Sequence, residues 1–306
     1  MDIDNQEFRA GFVAVIGRPN VGKSTLINTL LKQKIAAVSP RHQTTRRRKL
    51  GILTLPTTQV VLVDTPGLHK PLHKLSEAMN RVAEETLEDA DLLVWLVDIS
   101  VPPTEEDGLV AERLKGLQSA ASVLLVLNKV DLINSDNLAE RQSEYQALLP
   151  DAIPLVVTAR QMESLKPLLD EIIKRMPLGM PFYDEDQITD LFEREIAVDL
   201  IREAALTHLR EEVPHSIAVR IEEYSERSET TAYILATIFV ERESHKGIVI
   251  GERGGMLKKI GTSARISIEE MSGRTVFLEL RVKVRKNWRD DPAALRLFGY
   301  IPEESG

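Results

Sequence analysis

The chain has 306 residues, of which 43% are hydrophobic and 28% charged, with a formal net charge of −8; this predicts a globular protein of about two domains. No apolar run approaches the ~20 residues that a membrane span needs, and the acidic start at residues 1–4 has no apolar signal region. The absence of cysteine excludes disulfides and thiolate metal sites and agrees with a cytoplasmic location.

A phosphate-binding pattern follows the first apolar run. The residues Gly17-Arg18-Pro19-Asn20-Val21-Gly22-Lys23-Ser24 fit Gly-x-x-x-x-Gly-Lys-Ser, between a strand pattern at 12–16 and a helical pattern at 25–31. Glycines allow the tight turn in which backbone N–H groups and a helix N-terminus face one anion. Lys23 then reaches the β- and γ-phosphates, and the Ser24 hydroxyl binds Mg²⁺. We predict that this loop and Thr25 bind a nucleoside triphosphate.

A second motif, Asp64-Thr65-Pro66-Gly67, follows a strand pattern at 58–63. An acidic residue in this position holds the hydration shell of Mg²⁺, and a glycine presents its N–H to the γ-phosphate. Asp-x-x-Gly alone is a common turn. Its place after a strand and downstream of a phosphate loop predicts a nucleotide-binding role for these four residues.

A third motif, Asn128-Lys129-Val130-Asp131, ends the apolar run at 122–127. A carboxylate only accepts hydrogen bonds, so Asp131 can take both the ring N–H and the exocyclic amine of guanine. Adenine offers no matching pair of donors, and a buried carboxylate left unpaired would penalise it. The motif predicts GTP rather than ATP, and Thr158-Ala159 stands where a backbone contact to the guanine oxygen is expected.

These four motifs, in this order, resemble a translation-factor-type G domain, and Gln43-Thr44-Thr45-Arg46 resembles a signature of the Era family of bacterial GTPases. The resemblance implies GTP hydrolysis to GDP with Mg²⁺ held by Ser24, Asp64 and one of the two threonines. We expect Thr45 to be that ligand, with Thr44 as the alternative. Lys23, Thr45 and Gly67 are the expected catalytic residues.

Leu68 stands where many G proteins carry a glutamine that orients the attacking water. A leucine cannot hydrogen-bond water, so the sequence predicts either slow hydrolysis or another means of positioning water. Related G domains with asparagine at the position of Asn20 hold a K⁺ ion that stands in for an arginine finger. The presence of an asparagine at position 20 does not by itself decide whether this chain binds K⁺.

Apolar strand runs alternate with amphipathic helical stretches over the first ~175 residues, which predicts an α/β sheet with helices on both faces. A buried helix face is expected at Leu75, Met79, Val82, Ala83 and Leu87. Prolines and a glycine at 176–181 end this pattern. We predict a GTP-binding domain at 8–177, a linker at 178–200, a second domain at 201–290 and a tail at 291–306.

The second domain reads helix–strand–strand–helix–loop–helix–strand and carries Gly251-Glu252-Arg253-Gly254 between its last two helices. This order resembles the type II KH fold, in which Gly-x-x-Gly clamps a single-stranded nucleic acid backbone. The two glycines and the cations Lys258, Lys259 and Arg265 form the predicted RNA site, with Arg253 offsetting the acidic Glu252. A KH-shaped module that binds nothing is the alternative.

Charge is unevenly distributed along the chain. Residues 243–289 contain 11 Lys and Arg against 5 Asp and Glu, so this stretch is basic although the whole chain is acidic. Arg281, Lys283 and Arg285 alternate with apolar residues and share one strand face. Trp288 is expected in the core, with stacking on a base as the alternative.

The combination of a Gln-Thr-Thr-Arg G domain and a type II KH domain resembles the Era family over nearly the whole chain. It implies a monomeric ribosome-assembly GTPase that binds the 3′ end of 16S ribosomal RNA on the 30S subunit, with some peripheral association with the inner face of the cell membrane. A GTP-gated switch with a vestigial KH domain is one alternative. A tRNA-modifying G protein is another, although such enzymes carry a cysteine and a cofactor domain that this sequence lacks.

Overall fold

The computed structural model describes residues 7–36, 45–46, 48–66, 73–117 and 121–302. The chain divides into two compact units: most of the chain up to Asp190 forms the first, and Leu191 onward belongs to the second. The linker predicted at 178–200 is therefore shared between the units, and residue 201 lies inside a helix of the second. The predicted tail at 291–306 contains a short helix, Pro292–Leu297.

The first unit contains a six-stranded sheet in the order β2-β3-β1-β4-β5-β6. The strands are β1 (Arg9–Ile16), β2 (Lys49–Leu55), β3 (Thr58–Asp64), β4 (Leu92–Asp98), β5 (Ser122–Asn128) and β6 (Ile153–Val156). Only β2 runs antiparallel to its neighbour; the remaining pairs are parallel. Every residue of β3 and β4 is buried, as expected for central strands covered on both faces.

Five helices accompany this sheet: α1 (Lys23–Leu31), α2 (Lys74–Glu88), α3 (Glu105–Lys115), α4 (Ser135–Leu148) and α5 (Met162–Arg175). A right-handed connection from β1 to β3 places α1 on one face of the sheet. The connections from β3 through β6 run across the sheet in the opposite direction and place α2, α3 and α4 on the other face. Trp95, Ala83, Val110 and Tyr145 belong to the core on that second face.

The apolar stripe predicted on α2 is largely confirmed, because Leu75, Met79, Ala83 and Leu87 are buried. Val82 is only partly buried. The acidic residues at 184–186 are exposed, but the chain on either side of them is anchored to the first unit. The Gln59 side chain accepts from the backbone N–H of Phe182 at 2.7 Å, and the N–H of Ile52 donates to the carbonyl of Ile188 at 2.7 Å. The hydrogen bond between Ile52 and Ile188 covers the edge of β2 that no other strand pairs with.

The second unit has the predicted element order. It contains α6 (Glu193–His208), β7 (Ala218–Ser228), β8 (Thr231–Val240), α7 (Glu243–Ile250), α8 (Gly255–Ser272), β9 (Thr275–Val284) and α9 (Pro292–Leu297). Its sheet has the order β7-β8-β9, with β7 antiparallel and β9 parallel to the central β8. Apolar residues of α6, α7 and α8 pack with those of all three strands in one core. The predicted α/β architecture of the first domain and α+β architecture of the second are both observed.

Trp288 is fully buried, so the core position expected for it is the one observed. Its indole N–H donates to the carbonyl of Ser216 at 2.8 Å. Its ring meets the Phe298 ring edge-on at 5.4 Å between centroids. A buried tryptophan needs a partner for its N–H, and the Ser216 carbonyl supplies it.

Candidate nucleotide site and nucleic-acid groove

The phosphate loop is a turn that only glycine accommodates at two positions. Gly17 has a φ of 154°, and a Cβ there would lie 2.2 Å from the carbonyl oxygen of Leu96. Gly22 has a φ of 110°, and a Cβ would lie 2.5 Å from the side-chain nitrogen of Asn128. Gly22 is also the N-cap of α1, and a glycine has no side chain with which to cap a helix. The start of α1 therefore has no acceptor from its own N-cap side chain, an arrangement that suits an anion.

Lys23 is buried at the start of α1. Its ammonium donates to the carbonyl oxygens of Gly17 at 2.8 Å and Arg18 at 3.0 Å, so the side chain folds back over the loop. Burial lowers the pKa of Lys23 to about 8, although the nearby Asp64 carboxylate acts in the opposite direction. A buried ammonium with a lowered pKa gains most from a negatively charged ligand.

Three oxygen atoms converge beside Lys23 from three separate segments. The Ser24 hydroxyl donates to Asp64 Oδ2 at 2.9 Å, the Thr45 hydroxyl donates to the same oxygen at 2.9 Å, and the two hydroxyls are 3.1 Å apart. Burial raises the pKa of Asp64, while Lys49 and Lys23 act to lower it. Asp64 Oδ1 is buried and has no hydrogen-bond partner among the described residues. This cluster of hard oxygen donors fits Mg²⁺.

Asn128 connects three segments of the site. Its side-chain N–H₂ donates to the carbonyl of Val21 at 2.7 Å, and its Oδ1 accepts from the backbone N–H of Ala159 at 2.8 Å. Asp131 is exposed, and its carboxylate accepts from the Thr158 hydroxyl at 3.3 Å. The Thr158 N–H donates to Ser164 at 2.8 Å. A contact of Thr158 or Ala159 N–H with a guanine oxygen would therefore have to share an existing hydrogen bond.

Two carboxylates of this site were not among the predicted residues. Asp98 ends β4 and accepts from the Lys129 ammonium at 2.5 Å, and Asp107 is fully buried and accepts from Arg18 Nε at 3.1 Å. Burial alone would raise the pKa of Asp98, but hydrogen bonds from Lys129 and Ser100 outweigh burial and lower the pKa. Asp98 stands at the end of a strand, as Asp64 and Asn128 do, and this position in the sequence could have identified it as a site residue.

The structure brings most predicted nucleotide-site residues to the carboxyl edge of the parallel strands, which is where open α/β sheets bind ligands. Pro19, Val21, Thr65 and Pro66 are buried within the loops there. The Thr65 hydroxyl donates to the carbonyl of Val15 at 2.9 Å, and the carbonyl of Thr25 accepts from Thr29 within α1. The predicted residues Thr44, Gly67 and Leu68 lie outside the described residues.

The second unit has a groove of about 390 Å³ beside the Gly-x-x-Gly loop. Three of the residues that line it belong to the predicted RNA site: Gly254, Lys258 and Arg265. The other lining residues come from α8 and β9: Leu257, Gly261, Thr262, Leu278 and Leu280. The Arg265 guanidinium also donates to the Glu269 carboxylate, at 2.9 and 2.8 Å. The groove thus combines an apolar β9 wall with a basic α8 wall.

The loop itself shows why glycine occupies its ends. Gly251 has a φ of 71°, and a Cβ there would lie 2.6 Å from Met256 Cβ; Gly254 has a φ of 79°. Arg253 also has a positive φ, of 49°, and its side chain is exposed, as are those of Glu252 and Lys259. These three residues stand next to the groove in sequence but do not line it.

The fold and the two sites define a P-loop nucleotide-binding domain of the guanine-reading type followed by a KH module. Among the described residues, no helix is both long and apolar enough to traverse a bilayer. Two family models match: 50S ribosome-binding GTPase over residues 12–129, and KH domain over residues 212–289.

Relatives and a solved structure match nearly the whole chain. The GTPase Era proteins of Ruminiclostridium cellulolyticum and Halothermothrix orenii are each 43% identical, over 96% of this chain and 98% and 99% of their own lengths. A crystal structure of Era with MgGDPNP and nucleotides 1506–1542 of 16S ribosomal RNA superposes with a TM-score of 0.90 at 37% identity, covering 96% of this chain and all of that one. This chain belongs to the Era family of GTPases.

Proposed function

We propose that this chain binds and hydrolyses GTP in its first unit and binds the 3′ end of 16S ribosomal RNA through its KH groove, as an assembly factor of the 30S subunit. The observation that carries the proposal is the presence of both sites in one chain: an oxygen cluster beside a phosphate loop, and a basic groove beside Gly-x-x-Gly. The solved Era complex holds both a GTP analogue and the 16S segment.

On the nucleotide side, Lys23 donates to the phosphates, and Ser24, Thr45 and Asp64 are the residues that would hold Mg²⁺. When bound there, Mg²⁺ would neutralise negative charge on the phosphates. Asp98 holds Lys129 and Asp107 holds Arg18, and the Arg18 guanidinium also lies 4.0 Å from the Asp98 carboxylate, so these four side chains form one cluster of ion pairs. Gly67 stays the proposed N–H donor to the γ-phosphate on sequence grounds alone.

On the base side, the exposed carboxylate of Asp131 accepts the ring N–H and the exocyclic amine of guanine. Asn128 does not read the base; its hydrogen bonds to Val21 and Ala159 hold the phosphate loop and the base loop at a fixed separation. K⁺ is the proposed additional cofactor, held near Asn20, whose positive φ of 65° sets the shape of the loop.

On the RNA side, the proposed contacts are the loop residues Gly251 to Gly254, together with Lys258, Lys259 and Arg265. The two glycines let phosphates approach the main chain, and the cations neutralise the phosphate charge. Leu278 and Leu280 on β9 give the bases an apolar wall.

The deciding experiment is a titration of labelled RNA with the sequence of nucleotides 1506–1542 against the full chain, with a GTP analogue and, separately, with GDP. We expect tight binding in at least one state and a measurable difference between the two. If RNA binds in neither state while GTP binding is intact, the chain is a GTP-gated switch with a structural KH domain.

The cellular setting belongs to the same proposal and rests on the family resemblance: a cytoplasmic monomer that joins the 30S subunit, with some peripheral association with the inner membrane face. Sedimentation of the chain with purified 30S subunits tests the first part. Flotation with anionic lipid vesicles tests the second, and a chain left entirely at the bottom of the gradient would contradict it.

A further inference from the structure

Strand β9 has two different faces. It is an edge strand, and Leu278 and Leu280 on one face line the groove. Because side chains alternate along a strand, Phe277, Arg281 and Lys283 project from the opposite face. All three are exposed. The basic alternation in the sequence therefore does not belong to the groove, and the groove does not explain it.

An aromatic pair begins this second face. Phe277 is 60% exposed, and Tyr233 on β8 is its register partner, so the two side chains are neighbours on the sheet surface. The Arg227 guanidinium lies 4.6 Å from the centroid of the Tyr233 ring. A phenylalanine that exposes most of its ring contributes little to the core, and it offers a flat apolar surface to a ligand.

The charges beside this pair are mostly positive. Glu279 lies between Phe277 and Arg281, but its carboxylate accepts from the Arg281 guanidinium at 2.8 Å and from the Tyr233 hydroxyl at 2.9 Å. These bonds pair the charges of Glu279 and Arg281 with each other and hold the Tyr233 ring in place, so the net positive charge comes from Lys283 and Arg227. Lys283 extends the positive charge along the strand. Glu223 on β7 is the acidic boundary of the surface, two strands away from the free edge.

We propose that this outer face of β9, formed by Phe277, Arg281 and Lys283 with Tyr233 and Arg227, binds single-stranded RNA that leaves the groove and passes around the free edge of the strand. Exposed aromatic rings stack on bases of any sequence, and arginine and lysine bind phosphates. The groove and the outer face are opposite sides of one strand, so a continuous RNA chain can contact both. The proposal rests on RNA binding by the groove.

The test compares a short and a long RNA from the 3′ end of 16S ribosomal RNA. The short RNA has about six nucleotides, enough for the roughly four that a KH loop clamps. The long RNAs extend it by about six nucleotides at the 5′ or the 3′ end. We expect one extension to raise the affinity of the full chain about tenfold, as one or two stacked bases would. Phe277→Ala should abolish that gain and leave the short-RNA affinity unchanged.

Matched variants separate stacking and charge from general effects. Arg281→Ala should reduce the gain and weaken its dependence on salt. Phe192→Ala removes a phenylalanine that is 78% exposed at the start of α6, and Arg210→Ala removes an exposed cation; neither should change either affinity. Arg253→Asp, in the groove loop, should weaken both RNAs.

The outcomes are distinguishable. If Phe277→Ala binds both RNAs as the wild type does, or weakens both equally, the outer face does not bind the extension and the proposal is wrong. If Arg253→Asp binds both RNAs normally, the groove assignment fails instead. A photoreactive amino acid at position 277 should crosslink to the long RNA, and in a 30S complex a crosslink to protein alone would show that the face serves a protein partner.

Discussion

Two residues of one motif perform different tasks although they stand three positions apart. Asn128 is buried, and its side chain makes hydrogen bonds within the protein, to the backbone of Val21 and Ala159. Asp131 is exposed, and its carboxylate accepts a long hydrogen bond from the Thr158 hydroxyl at 3.3 Å. A change at Asn128 should therefore disturb the site for every nucleotide, whereas a change at Asp131 should alter which base is bound.

Asp131→Asn exchanges an acceptor oxygen for an amide that presents donors to the donors of guanine. GTP affinity should fall by about 1–3 kcal/mol, because a bound guanine would cover this position and leave its donors unpaired. Xanthosine triphosphate, which has a carbonyl in place of the guanine amine, should regain affinity. Competition binding measures both. Unchanged GTP affinity in the variant would contradict the assignment of Asp131 to the base.

Lys23 links stability to pH. Its pKa is about 8 in the folded protein against 10.5 as a free side chain, so between these values the unfolded chain binds the proton more tightly. Stability should therefore rise with pH across this window relative to a variant without the ammonium. We expect Lys23→Met to be the more stable of the two at pH 7, with the difference shrinking by on the order of 2 kcal/mol by pH 10.

Urea unfolding without nucleotide measures this difference, followed by Trp95 fluorescence in a Trp288→Phe background so that only the first unit reports. Lys32→Met is the control, because Lys32 is exposed at the end of α1. A pH-independent difference between Lys23→Met and its parent would show that Lys23 is not held with a lowered pKa.

Asn20 and Leu68 together suggest that a monovalent cation assists hydrolysis. GTPase activity should be higher in K⁺ than in Na⁺ at equal ionic strength, because a K⁺ ion would supply the positive charge of an arginine finger. Asn20→Ala should remove the difference while GTP binding persists. Equal GTPase rates in K⁺ and in Na⁺ would contradict a role for K⁺ in hydrolysis.

At the scale of elements, the start of α3 supports the nucleotide site. Thr104 and Asp107 form a capping box: the Thr104 hydroxyl oxygen accepts from the Asp107 N–H at 3.3 Å, and the Thr104 N–H donates to Asp107 Oδ2 at 3.0 Å. The same oxygen accepts from Arg18. One buried carboxylate thus both begins a helix and fixes the phosphate loop.

Asp107→Ala should therefore destabilise the first unit by about 1–3 kcal/mol and also lower GDP affinity, because a cap and an anchored arginine are lost together. Glu105→Ala, on the same helical turn but exposed, should change stability by less than about 0.5 kcal/mol. The measurements are urea unfolding and GDP titration. Normal GDP affinity in a destabilised Asp107→Ala protein would show that Arg18 needs no anchor.

The sequence predicts the elements far better than the contacts between them. Strands β3 and β5 are runs of β-branched and other apolar residues, and their predicted positions at 58–63 and 122–127 agree with the structure within one residue. The pairings Arg18–Asp107 and Gln59–Phe182 could not be predicted. Each pairing joins residues about 90 or more positions apart. The local sequence around a polar residue does not indicate which distant residue it will contact.

At the scale of the whole molecule, positive charge is concentrated in one stretch of a chain that is acidic as a whole. The net charge is −8, yet residues 243–289 carry more cations than anions. Each of the two units has its own core, so a change in one site need not disturb the fold of the other. This separation allows RNA binding and GTP binding to be tested independently.

Arg253→Asp uses that separation. It places a second carboxylate beside Glu252, between Gly251 and Gly254, where a phosphate backbone would pass and salt screens repulsion only partly. Arg253 is exposed, so the melting temperature should barely change, and GTP binding should persist. Affinity for a single-stranded RNA matching the 3′ end of 16S should fall at least about tenfold, or ~1.4 kcal/mol.

Because Arg253 has a φ of 49°, and aspartate tolerates such values better than most residues, a loss of RNA binding would reflect charge rather than backbone strain. Unaltered RNA affinity in the folded variant would mean that RNA binds elsewhere on the chain.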